Sequence, residues 1–213
     1  MSGLSYIFQD LAEITPTTLF ILIFVVVLAV ALLTIGSRAK LRTKTVVYGG
    51  LCVAIAFVLS YIRLYRWPQG GSITIASSLP IFVYAYIFGP AAGIAAGTAY
   101  GLLQLIQDPY ILHPFQVFLD YILAFAAWGL AGFFRKNISL GIIFGGAGQI
   151  FSSFLSGVIF FGSYAPEGMS PIIYSLAVNV TVLGTNILIC LLISLLPQVR
   201  RVIEHLKARV FVE

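Results

Sequence analysis

FQVFLDYILAFAAWGLAGFFRK, residues 115–136, opens with twenty residues that carry one charged side chain, Asp120, and closes on the basic pair Arg135 and Lys136. A bilayer-spanning helix needs about 20 predominantly apolar residues. The stretch therefore reads as a transmembrane helix with a basic end, and that reading decides the class of the chain. Composition agrees: of 213 residues, 60% are hydrophobic and 9% charged, against roughly 25% charged in soluble domains. Water is excluded as the solvent for most of this surface, and the fold class expected is an all-α polytopic membrane protein.

Working outward, similar runs recur, separated by brief Gly, Pro or basic punctuation. Toward the N-terminus lie spans at Ala91 to Ile106, Leu79 to Phe88, Val46 to Tyr61, and Ile14 to Ser37, the last almost wholly aliphatic from Leu19 to Leu33. The run from Leu79 is of marginal length and stops at Gly89-Pro90. Toward the C-terminus lie Leu140 to Phe161 and Tyr174 to Leu196, followed by an amphipathic basic tail. The predicted organisation is an N-terminal helix with its connector (1–45), a membrane core (46–197) and a cytoplasmic tail (198–213). The first residues lack the basic region and cleavage site of a secretory signal, so the first apolar run is expected to be retained.

The net charge of +5 is informative through its positions. Short cytoplasmic loops carry the excess of Lys and Arg. Seven spans place ten of the basic residues inside (Arg38, Lys40, Arg42, Lys44, Arg135, Lys136, Arg200, Arg201, Lys207 and Arg209) and two, Arg63 and Arg66, outside. The expected orientation has the N-terminus outside and the C-terminus cytoplasmic. It gathers three unusual loops on the outer face: WPQGGS (Trp67 to Ser72), QDPYILHP (Gln107 to Pro114) and FFGSYAPEG (Phe160 to Gly168). Aromatic, amide and carboxylate groups converging there suit the mouth of a solute site; taken singly, Trp67, Tyr110 and Tyr164 equally suit an interfacial aromatic belt.

Asp120 lies six residues past Pro114, about 9 Å into its span at 1.5 Å per residue. Intramembrane acids face the protein interior and mark ligand, ion or proton sites. Gln116 falls one turn outward on the same face and Trp128 two turns inward; a cationic or aminopyrimidine-like ligand matches that face. On the next span Gln149, Ser152, Ser153 and Ser156 form a polar stripe at helical spacing, open to either ligand contact or interhelical hydrogen bonding. Asn179 and Asn186 also call for partners. The glycine ladders Gly93, Gly97, Gly101 and Gly141, Gly145 suit helix packing within the subunit. The two cysteines, Cys52 and Cys190, sit in apolar runs as small packing residues, with no disulfide framework or metal site. No Walker A, HExxH, GxSxG or CxxC sequence occurs, so energy from ATP must come from another polypeptide.

Four ordered motifs then point to a family: PQGGS at Pro68 to Ser72, HPxQxxLDY at His113 to Tyr121, SGxxFFGSYAPxG at Ser156 to Gly168, and YSLxxN at Tyr174 to Asn179. The chain resembles the thiamin-specific substrate-binding (S) components of energy-coupling factor transporters over about three quarters of its length. The resemblance implies a six-helix S-component core, here preceded by one extra N-terminal transmembrane helix, in a prokaryotic cell membrane. It implies a transport subunit without enzymatic activity or cofactor, with thiamin as the ligand, docking on a transmembrane coupling protein and two ATPase subunits. It places Asp120, Tyr110, Tyr121, Tyr174 and Asn179 on the ligand and makes Gly50 and Ala54 the docking face. Family members commonly hold a His where this chain has Ser153 and a basic residue where it has Gln149. The expected ligand-binding set is thus Asp120, Tyr121, Tyr110, Tyr174, Asn179, Ser153, Gln149 and Gln116.

Two alternatives follow from the same residues. Ser153 and Gln149 fit an S component for a different vitamin or a thiamin precursor. A solitary proton-coupled carrier would use Asp120 as its proton site, although such carriers usually show two repeated halves and this chain shows no convincing repeat. An intramembrane enzyme built on Asp120, His113 or Ser153 finds little support, since no nucleophile and base share a close helical spacing.

Overall fold

The computed structural model of the protein describes residues 42–68 and 70–212. The expected first span, Ile14 to Ser37, and most of its basic connector lie outside the described residues. The other six spans all coincide with helices: α1 (Thr43–Leu59), α2 (Leu79–Phe88), α3 (Pro90–Gln107), α4 (Pro114–Phe133), α5 (Ile138–Phe160) and α6 (Pro171–Leu195). The tail forms α7 (Pro197–Val212). Among the described helices, α4, α5 and α6 are long and apolar enough to cross a bilayer.

Local chemistry sets the helix ends. Proline occupies the first turn of α2, α3, α4 and α6, where its missing N–H costs nothing. Asn137 caps α5 by accepting from the backbone N–H groups of Ser139 and Leu140. His113 Nδ1 accepts from Phe115 N at 3.1 Å, which makes the histidine of the HP pair the cap of α4. Between α2 and α3 the chain reverses at Gly89, whose φ of 95° is open to glycine and strained for other residues.

The short α2 explains the marginal third span. Its ten residues rise about 15 Å, half of a hydrocarbon core of about 30 Å. Before it the chain forms a small antiparallel hairpin, β1 (Arg63–Arg66) and β2 (Ser72–Thr74), with Arg63 opposite Thr74 and Arg66 opposite Ser72. The sequence reading had placed only a polar loop there. The backbone of β2 finds its partner on α6 in Asn186. Its Oδ1 accepts from Thr74 N at 2.8 Å and its Nδ2 donates to Ser72 O at 2.8 Å.

Helix α4 changes its winding along its length. Phe118–Leu123 is a π-helical turn and Ala127–Phe133 is a 3₁₀ segment. The π turn holds Asp120 and packs on the glycine ladder of α3. A Cβ on Gly101 would stand 1.8 Å from Tyr121 O, and one on Gly97 2.1 Å from Phe125 O, so both ladder positions serve packing within the subunit. Helices pack in sequence order, α1 on α2 and α3, α3 on α4, α4 on α5, α5 on α6, and β2 leans against α6. At the opposite end from the hairpin, α7 folds back: the Tyr86 hydroxyl donates to Glu204 at 3.0 Å and Lys207 Nζ donates to the Tyr86 hydroxyl at 2.9 Å and to the Arg135 carbonyl.

Candidate ligand-binding site

Among the described residues a cavity of about 200 Å³ lies between the hairpin, α3, α4, α5 and α6. All eight residues expected at the ligand line it: Tyr110, Gln116, Asp120, Tyr121, Gln149, Ser153, Tyr174 and Asn179. Among the described residues its lining holds two carboxylates, Asp108 and Asp120, and no lysine, arginine or histidine.

Asp120 projects from the π turn of α4. Its Oδ2 accepts from Gln116 Nε2 at 2.8 Å and from the Ser156 hydroxyl at 2.7 Å. Both donors are neutral and buried, at 1% and 0% exposure, so they hold the carboxylate in place without cancelling its charge. Gln116 is engaged at both ends of its amide, because its Oε1 also accepts from Leu112 N at 3.1 Å. It orients Asp120 and ties the loop before α4 to the acid.

The polar stripe of α5 divides by function. Ser152 donates to Leu119 O at 2.7 Å, an interhelical bond to the backbone. Ser156 serves Asp120, Ser153 lines the cavity, and Gln149 accepts from Trp128 Nε1 at 2.9 Å. Asn179 donates through Nδ2 to Ser175 O at 2.9 Å and to Ser153 O at 3.3 Å, which leaves its Oδ1 as an acceptor. Tyr121 is placed at the cavity, but its hydroxyl works on the loop: it donates to Asp108 O and accepts from Tyr110 N, both at 2.9 Å.

Aromatic groups close the two ends. At the inner end Trp128 meets Phe125 edge to face, centroids 4.9 Å apart, and packs on Tyr100 and Phe82 at 5.3 and 5.4 Å. At the mouth the Tyr110 ring stacks on Phe161 at 5.6 Å, and its hydroxyl donates to that of Tyr164 at 3.0 Å. That donated bond pushes the Tyr110 phenol pKa up to about 12. Beside it Asp108 is bridged by two guanidiniums, Arg63 at 2.8 Å and Arg66. These were the two basic residues the charge pattern had left outside.

Sequence reasoning missed several lining groups: Thr74, Ser77 and Ser78 from the hairpin and the start of α2, and Tyr100 from α3. Serine and threonine in a short apolar stretch gave no periodic signal, and Tyr100 sits among the packing glycines. Gly50 and Ala54, expected as a docking face, are both exposed on α1, and a Cβ on Gly50 would meet nothing within 4 Å.

Comparison with known proteins falls on the same region. The family described as "Thiamine transporter protein (Thia_YuaJ)" matches residues 46–204. The thiamine transporter ThiT of Bacillus subtilis is 35% identical over 162 residues, covering 67% of this chain and 84% of that protein. ThiT of Lacticaseibacillus paracasei is 34% identical over 146 residues, covering 56% and 72%. The solved structure of ThiT from Listeria monocytogenes superposes with a TM-score of 0.63 at 29% identity, covering 74% of this chain and 97% of that one.

Proposed function

This chain belongs to the thiamine transporter protein family, and from that membership we propose that it captures thiamin from the outer face of a prokaryotic cell membrane as the substrate-binding subunit of an energy-coupling factor importer. It is a multi-pass membrane protein and a transporter rather than an enzyme. The observation that carries the ligand reading is Asp120, a carboxylate within a membrane span whose hydrogen-bond partners are an amide and a hydroxyl, facing a cavity that no basic side chain lines among the described residues. Thiamin is a cation with an aminopyrimidine. It supplies the positive charge and the N–H donors that this carboxylate and Asn179 Oδ1 accept, and aromatic surface for Trp128 and Tyr110.

The remaining assignments follow the same reading. Tyr110, Tyr121, Tyr174 and Asn179 surround the ligand, and Ser153 and Gln149 replace the ring and cation common in the family. No cofactor takes part. The exposed Gly50 and Ala54 face docks a transmembrane coupling protein, which with two ATPase subunits supplies the energy. The N-terminus lies outside and the C-terminal helix on the cytoplasmic side, in keeping with the basic residues of α7. Titration calorimetry on the purified protein tests the proposal: thiamin binds tightly to the wild type and binding collapses in Asp120→Ala. A wild type that binds no thiamin, or uptake into vesicles by this chain alone, overturns it.

A further inference from the structure

The C-terminal helix α7 is the part of the chain that ligand capture leaves without a role. It follows α6 after a single non-helical residue, Leu196, so it starts where the last span ends. Its Val199, Ile203 and Val210 pack on the core, Ile203 at 3% exposure. Glu204 and Lys207 meet the Tyr86 hydroxyl near the end of α2, and Lys207 Nζ also donates to the Arg135 carbonyl. Helix α7 therefore lies against the end of the bundle opposite the hairpin.

At about 100° per residue, the surface of α7 falls into ridges. Beside the buried ridge of Val199 and Ile203 run Val202 and Leu206, 58% and 46% exposed. Beyond them, at four-residue spacing, run Arg201, His205 and Arg209, all exposed. The opposite flank is polar, with Arg200 and with Glu204 bonded to Tyr86. Among the described residues neither Arg201 nor Arg209 meets an acidic side chain. Exposed arginines on a helix are ordinarily solvated; here an apolar ridge separates them from the bundle, and on one flank only. A helix lying in a membrane interface presents its residues in that order, apolar toward the acyl chains and basic at the headgroups. Leu192, Leu195 and Leu196, all exposed, carry apolar surface from the end of α6 to the first turn of α7.

We propose that anionic lipids seat α7 in the headgroup layer at this end of the bundle. Arg201 and Arg209 pair with lipid phosphates, and Val202 and Leu206 dip into the acyl boundary beside the bundle. Two features of the ridge favour a lipid surface as the partner. The two guanidiniums belong to residues eight positions apart, about 12 Å along the helix, which is too far to close on one small anion and suits separate headgroups. The apolar ridge between them and the bundle adjoins a surface that already faces hydrocarbon, and a soluble anion would leave that ridge uncovered.

Hydrogen exchange on the full chain in nanodiscs tests this, comparing phosphatidylcholine alone with phosphatidylcholine mixed with phosphatidylglycerol. The α7 amides exchange about fivefold to thirtyfold more slowly in the anionic discs, since each arginine near such a surface is worth about a factor of five. The slowing disappears in about 1 M salt, where the Debye length falls to about 3 Å. It is lost in the double variant Arg201→Gln/Arg209→Gln and kept in Arg200→Gln, on the polar flank. Val202→Gln speeds α7 exchange at least about threefold in both discs through loss of buried apolar surface, although glutamine is the better helix former. Equal α7 exchange in the two discs, a slowing that survives salt, an equal loss in Arg200→Gln, or unchanged exchange in Val202→Gln overturns the proposal. So does an equal slowing by inorganic phosphate in phosphatidylcholine discs, which would make the ridge a site for a free anion. Should the double variant fail to fold, the salt titration of the wild type decides. These measurements use no thiamin, so their failure leaves the thiamin reading standing.

Discussion

Two carboxylates border one cavity and are held in opposite ways. Asp108, at the rim, is bridged by Arg63 and Arg66; Asp120, inside the span, is held by Gln116 and Ser156. An acid already matched by two cations has little electrostatic demand left and ties the hairpin to the loop before α4. An acid fixed by neutral donors keeps its charge available, and in a low-dielectric setting that charge is strong. What the neighbours of an acidic residue leave unanswered thus decides whether its charge is available to a ligand.

The largest expected effect tests that contrast directly. Asp120→Ala should weaken thiamin binding by at least about thirtyfold, since removing one partner of a desolvated charge pair costs about 2–5 kcal/mol; calorimetry reads it. A loss below tenfold would erase the distinction between the two acids. Next comes the support beneath Asp120. In Gly101→Ala the new Cβ collides with the carbonyl of Tyr121, and overpacking of this kind costs about 1–3 kcal/mol. A lowered melting temperature in detergent and thiamin binding weakened roughly tenfold are expected, because the π turn that aims the acid must shift.

Asp108→Asn should do much less. Its partners reach solvent, Arg66 at 62% side-chain exposure, and exposed pairs are worth about 0–1 kcal/mol. Affinity within about fivefold of the wild type is the expected calorimetric result; a hundredfold loss would make the rim acid a ligand group. The smallest effect belongs to the mouth. Tyr110→Phe removes the bond to Tyr164 but keeps the stack on Phe161, so affinity should change by about threefold or less. With the phenol pKa pushed up to about 12 by that bond, Tyr110 is neutral in the ligand-free protein from pH 7 to 9 and should add no pH dependence there; a titration of binding over that range that follows Tyr110 would contradict this.

Much of this molecule was legible before folding. The apolar runs located six described helices to within a few residues at each end, because a hydrocarbon solvent makes length and polarity decisive. The Gly89-Pro90 break marked the α2 to α3 reversal, and the eight residues expected at the ligand share one cavity. The division of labour among them was hidden. Ser152 and Ser153 are neighbours with the same chemistry, and only their angle on α5 sends one to the Leu119 carbonyl and the other to the cavity. Gln116 and Tyr121 read as ligand groups, yet their polar atoms are engaged with Asp120 and the neighbouring loop.

The sequence by itself determined that this chain crosses a membrane, that Asp120 sits inside a span, and that four ordered motifs belong to one family, since each depends on composition and spacing along the chain. Tertiary structure alone decided the π turn that carries Asp120, the hairpin before α2, the double pairing of Asp108 and the bond between Trp128 and Gln149. These are contacts between residues far apart in sequence, and hydrogen-bond direction is settled only when both partners are brought within about 3 Å.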